Sequence, residues 1–172
     1  MQKRLLVDMD GVMADVYAQL KKYEFEDRGI VQDDMDLVGK TEEEAFPNHD
    51  KYVNTKGFFE TVPVMKDCVN VLYELNIKYE VYIVSSATEY PISLTDKMNW
   101  INHNFTYINW RQVVMCGVKF IINGDIMIDD HFKNLDVFPG ETILYTQPQN
   151  MGKMEGRHKR VSSWKEIADI LL

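Results

Sequence analysis

The chain has 172 residues, enough for one domain or one domain with a modest insertion, and its 45% hydrophobic and 27% charged composition predicts a packed globular core. A formal net charge of −8 and a pI near 5.0 repel nucleic-acid backbones, which argues against a nucleic-acid polymer as partner. A small phosphorylated ligand stays open, because one local cation reverses the field at a single site.

No stretch approaches the roughly 20 apolar residues of a membrane span, so no membrane association is expected. Lys3 and Arg4 are followed by only three apolar residues before Asp8, too few for a secretory leader. Cys68 and Cys116 lie far apart in apolar surroundings. Both are read as reduced core residues, and the expected location is the cytoplasm.

RLLVDMD, residues 4–10, reads as a short buried strand that runs into Asp8 and Asp10. Asp15 is placed to cap a first helix. Residues 16–60 then break the strand–helix rhythm, with VYAQLKKYEFEDRG, an acidic stretch, TEEEAF with a capping box at Thr41 and Glu44, and PNHDKYVNTKGFF. They are expected to form a small helical insertion, leaving 1–15 and 61–172 as the core. Phe58 and Phe59 are read as a hydrophobic hinge between the two parts, with stacking on a nucleobase as the alternative.

Met65, Cys68, Val69, Leu72 and Leu75 fall at helical spacing, and YEVYIVSSA, residues 79–87, follows as a strand ending at Ser85 and Ser86. SLTDKMNWINHNF suggests a helix from near Ser93, and QVVMCGV, DIMIDD and ETILYTQP follow as strands. RHKR at 157–160 is the only basic run and is read as a solvated loop. Trp100, Trp110 and Trp164 are expected in the core or at its edge. SSWKEIADILL closes the chain as a helix opened by a Ser163–Glu166 capping box. Short apolar strands alternating with helices predict an α/β fold with a mainly parallel sheet.

Three strand-like runs end in reactive groups: Asp8 and Asp10, Ser85 and Ser86, and Asp129 and Asp130. The carboxyl ends of parallel strands form the ligand crevice of such folds, so these groups are expected to converge. Four converging carboxylates repel and raise one another's pKa values, and a divalent cation removes the conflict. Oxygen ligands with no supporting His or Cys cluster point to Mg2+ rather than zinc.

Ser85, with Ser86 beside it, offers hydroxyl and backbone donors, and Lys119 offers a point charge, a set that suits a phosphoryl group. Asp8 could then attack phosphorus. Asp10 could protonate the leaving oxygen and later activate water, in which case its backbone carbonyl would bind the metal. His131 is given no chemical role. A phosphorylation-controlled receiver module gathers similar groups, but its acidic pair precedes the phosphorylated aspartate, whereas Asp129–Asp130 comes last here.

In this order the motifs resemble the four of the haloacid dehalogenase superfamily. DMDGV at 8–12 is similar to D-x-D-G-[TV], Ser85 to the second motif, Lys119 to the third and Asp129–Asp130 to the fourth. Within it, DMDGVMAD, the insertion after the first strand, GFFETVP, and IDD followed by ILYTQP resemble the 5′(3′)-deoxyribonucleotidases. The resemblance implies a Rossmann-like core, a small helical cap inserted after the first strand, Mg2+, and hydrolysis of a small phosphate monoester, a (deoxy)ribonucleoside monophosphate. Val16, Tyr17, Phe58 and Phe59 are the candidate substrate-pocket residues. Where relatives carry a base-packing aromatic, a phosphate-binding basic residue and an arginine, this sequence has Val16, Glu89 and Gly117. A sugar phosphate is the alternative substrate, and a homodimer is left open.

Overall fold

The computed structural model describes residues 2–172 and is built on one six-stranded sheet, parallel throughout. Its strands are β1 (Arg4–Asp8), β2 (Glu80–Ser85), β3 (Val113–Met115), β4 (Ile126–Asp129), β5 (Glu141–Tyr145) and β6 (Lys159–Val161). Four helices, α1 (Val16–Arg28), α2 (Asp34–Leu37), α3 (Glu42–Ala45) and α4 (His49–Val53), lie between β1 and the next long helix, α5 (Cys68–Lys78). Then come α6 (Ser93–Asn104), α7 (Phe132–Leu135) and the terminal α8 (Trp164–Leu171). Among the described residues no helix is long and apolar enough to cross a membrane.

The sheet order is β3-β2-β1-β4-β5-β6. The chain therefore winds outward from β1 to β3, returns to the other side of β1 and winds out again. That reversal leaves a crevice at the carboxyl ends of β1 and β4, the position where open parallel sheets hold their ligands. Val7 pairs with Ile128 and Asp8 with Val84, so the reactive ends of β1, β2 and β4 lie side by side.

Strand residues alternate between two packed faces. Leu5, Val7, Val81, Ile83, Ile128 and Ile143 join the large core that includes Leu72 and Leu75 of α5 and Trp164 and Ile167 of α8. Leu6, Val84, Met127 and Leu144 face a smaller cluster closed by Leu135 and Phe138. Both faces are buried, which explains why these strands read as continuous apolar runs.

Several local expectations are met. The Asp15 carboxylate accepts from Ala18 N at 3.0 Å and caps α1, and the Thr41–Glu44 capping box is complete. Cys68 and Cys116 are both free.

Others change. The Ser163 hydroxyl caps α8, but the Glu166 carboxylate accepts from Ser162 N rather than closing the box. Met65 lies ahead of α5, because its N–H donates to Met13 O at 2.8 Å and Asp67 turns the chain at φ 64°. Trp110 is 67% exposed, with the Arg111 guanidinium 5.3 Å from its ring centre. RHKR is no solvated loop. Lys159–Val161 forms β6 at the sheet edge, His158 is buried against Thr142, and Arg157 and Arg160 donate to backbone carbonyls.

Candidate active site

The chain after β1 turns through DMDGVMA. Gly11 N donates to Ala14 O at 2.9 Å and Ala14 N to Met9 O at 2.9 Å, while the Trp164 indole N–H ties Val12 O to α8 at 2.8 Å. Gly11 adopts φ 75°, and a Cβ there would overlap the Asp130 carboxylate. Glycine is required twice over, for the backbone turn and for the approach of the second acid.

Asp8, Asp129 and Asp130 each present a carboxylate oxygen within 4.8 Å of the others, and all three are buried. Lys119, on the loop after β3, reaches Asp8 Oδ1 and Asp129 Oδ2, each at 2.6 Å. Burial alone would lower the Lys119 pKa, but these two carboxylates outweigh it and hold the ammonium above its usual range. Burial pushes the Asp8 carboxyl well up. Lys119 opposes that, and Asp129, Asp130 and Asp10 reinforce it. Asp130 is raised by burial first and then by Asp129 and Glu42.

The two acids of the pair differ in their partners. Asp129 is saturated, with Lys119, Asn134 Nδ2 and the His131 N–H all donating to it. Asp130 Oδ2 accepts from Gln149 Nε2 at 2.7 Å, and Asp130 Oδ1 is buried with no partner. A buried carboxylate oxygen without a donor is costly unless a cation meets it. Three acids against one lysine, with a bare oxygen among them, fit a divalent cation.

Asp10 sits apart from this cluster. Its Oδ2 accepts from the Lys97 ammonium at 2.5 Å and the Ser85 hydroxyl at 3.3 Å. Ser86 begins the turn after β2 and lines the same cavity as Asp8, Asp10 and Lys119. That cavity is about 360 Å³, within the range of small-molecule sites. Val16 and Phe59 line it, while Tyr17 and Phe58 do not. Tyr17 turns its hydroxyl to Gln149 Oε1 at 3.0 Å, and Phe58 is packed between Tyr23 and Phe59.

Lys97 and Gln149 were not singled out from the sequence. Lys97 sits with Asp96 on the buried face of α6 beside Trp100 and Ile101, and two charges on an apolar face were the available signal. Gln149 follows the strand run ILYTQP, in a turn where Gln147 Nε2 also donates to Gly11 O at 2.5 Å. Nothing in the letters marks those amides.

Comparison with known proteins agrees with this geometry. The family described as 5′ nucleotidase, deoxy (pyrimidine), cytosolic type C protein matches residues 2–172. A Bacillus subtilis protein named 5′(3′)-deoxyribonucleotidase is 37% identical over 175 residues, covering 100% of both chains. Among solved structures, a haloacid dehalogenase-like hydrolase of Streptococcus pneumoniae superposes with a TM-score of 0.59 at 13% identity, covering 99% of each chain. A Bacillus subtilis protein described as a HAD-hydrolase bound to magnesium gives 0.50 at 13% identity, over 99% of this chain and 98% of that one. These two likenesses establish the fold.

Proposed function

This chain belongs to the cytosolic type C 5′-nucleotidase family, and on that premise we propose that it hydrolyses (deoxy)ribonucleoside monophosphates to nucleoside and phosphate through an aspartyl-phosphate on Asp8. The observation that carries the reading is the convergence of Asp8, Asp129 and Asp130 beside Lys119, with Asp8 and Lys119 facing the cavity. The cytoplasm is its setting, in line with the family's description as cytosolic.

Asp8 Oδ1 is occupied by Met9 N–H and Lys119, which leaves Oδ2 to attack phosphorus. The bond from Oδ2 to phosphorus forms as the ester P–O bond breaks, and Asp10 delivers a proton to the leaving nucleoside oxygen. Asp10 then takes a proton from water, which attacks phosphorus and releases phosphate and the free Asp8 carboxylate. Ser86 and Lys119, which line the cavity, are assigned to the phosphoryl oxygens, whereas Ser85, expected there from the sequence, is buried and gives its one hydroxyl proton to Asp10 Oδ2.

Asp8, Asp130 through Oδ1 and the Asp10 backbone carbonyl would hold Mg2+, with Asp129 anchoring Lys119 instead. Bound there, Mg2+ neutralises charge on the phosphoryl oxygens.

Residues 16–60 act as a cap over the cavity, and Val16 and Phe59 contact base or sugar. Glu42, Glu43 and Glu89 line the same space, so a second phosphate would meet negative charge and monophosphates are favoured.

A panel of nucleoside and sugar monophosphates, assayed for phosphate release with and without Mg2+, tests this. Metal-dependent release is expected from nucleotides ahead of sugar phosphates. Preference for a sugar phosphate would keep the chemistry and replace the substrate, and no release from any ester would refute both.

Gln149 is predicted to orient Asp130. Gln149→Ala removes the only side chain donating to that carboxylate among the described residues. Calorimetric titration is expected to show Mg2+ affinity falling roughly 10- to 100-fold. An unchanged affinity would separate Asp130 from the metal.

A further inference from the structure

Lys97 is a buried ammonium that the reaction above leaves without a task. Its side chain is 3% exposed, while that of its partner Asp10 is 32% exposed. The α6 backbone places it against Asp10 Oδ2 at 2.5 Å and Ser85 Oγ at 3.1 Å, with its Nζ 4.4 Å from the centre of the Phe59 ring. Burying an ammonium carries a large desolvation penalty, and a lysine needed only for packing would be served as well by an apolar side chain. The cation is aimed at one oxygen of one carboxylate.

The two oxygens of Asp10 are thereby made different. Oδ2 takes the ammonium and the Ser85 hydroxyl, whereas Oδ1 is buried with no partner. We propose that Lys97 is a positioning residue for the phosphoryl-transfer step: with Ser85 it fixes Asp10 through Oδ2, so that Oδ1 is the atom that gives its proton to the leaving oxygen.

As Oδ1–H breaks and the proton bonds to the leaving oxygen, negative charge grows on Asp10. The ammonium that meets this charge is already in place and needs no reorganisation. In the second half-reaction the same oxygen takes the proton from water. This inference rests on the reading of Asp10 as the proton donor.

Leaving groups separate this role from a structural one. A nucleoside leaves as an alkoxide and needs a proton, whereas p-nitrophenolate leaves without one. The ratio kcat/KM reports only steps up to phosphoryl transfer, so later events at Asp10 do not enter it. Lys97→Met is expected to lower kcat/KM for a deoxynucleoside 5′-monophosphate by about 100-fold, and for p-nitrophenyl phosphate by less than about 5-fold. Equal losses on both esters, or no loss on either, would overturn the proposal.

Lys97→Gln keeps a donor and a stem over Phe59, and it covers the case in which the Met variant does not fold. It must show the same skew, and an even loss refutes the role. Asp10→Asn, measured on the same two esters, distinguishes the failures. A skew in Asp10→Asn without one in Lys97→Met removes Lys97 and leaves the reaction standing. Full nucleotide hydrolysis by Asp10→Asn removes the premise itself.

Discussion

Asp8→Asn is expected to reduce phosphate release by about four orders of magnitude or more while leaving the fold intact. The amide has the shape of the carboxylate and can still accept from the Met9 N–H, which donates to Oδ1 at 2.7 Å. Lys119 keeps Asp129 at 2.6 Å, so no buried cation is orphaned. What disappears is the nucleophilic oxygen.

The same change also relieves a crowded site. Burial holds the Asp8 carboxyl well above its ordinary range, and Asp129, Asp130 and Asp10 add to that against the pull of Lys119. In EDTA the variant is therefore expected to melt no lower than the parent. Thermal unfolding and phosphate release on one preparation check both halves, and turnover that survives with Mg2+ would disqualify Asp8 as the nucleophile.

The second large effect is on stability, through metal and pH together. Asp8 and Asp130 are both raised well above 3.8, mainly by burial. An acid whose pKa is higher in the folded than in the unfolded state binds its proton more tightly when folded. Its contribution to stability is complete below about pH 4 and is lost as pH rises through the elevated value.

Without metal, the protein is thus expected to lose stability as pH rises above about 4. Asp27, lowered to about 2 by the Lys51 ammonium beside it, adds nothing to that loss. Mg2+ requires both acids ionised and reverses the trend. At 100 times its dissociation constant it contributes about 2.7 kcal/mol, or roughly 5–10 °C in Tm for a chain of this size. The rise on adding Mg2+ is expected to be larger at pH 8 than at pH 5. An equal rise at both values, or none, would mean that the buried acids are not the ligands.

The strand ends were legible because their chemistry interrupts apolar runs. Val7 gives way to Asp8, Val84 to Ser85 and Ile128 to Asp129 within strands buried on both faces. Caps such as Asp15 and Thr41 are local and could be read from spacing alone.

What escaped depends on contacts between distant parts of the chain. Lys97 meets Asp10 across 87 residues, and Gln149 meets Asp130 from a turn whose amides have no pattern of their own. Tyr17 reads from the sequence as a substrate-pocket residue, yet it lies buried beside Phe46 with its hydroxyl on Gln149 Oε1. β6 was hidden for a different reason. A three-residue edge strand made of Lys159, Arg160 and Val161 carries no alternation long enough to detect, and its arginine spends its charge on carbonyls of the turn beside it.

The claim on which the rest depends is that the phosphoryl group passes through Asp8. Enzyme mixed with a deoxynucleoside 5′-monophosphate and Mg2+, quenched in acid during turnover and reduced with tritiated borohydride, would convert an acyl phosphate to homoserine at its own position. Peptide mapping is predicted to place the label at residue 8, and to lose it when substrate or Mg2+ is omitted. Phosphate release at full rate with label at another residue, or with none, would contradict the account.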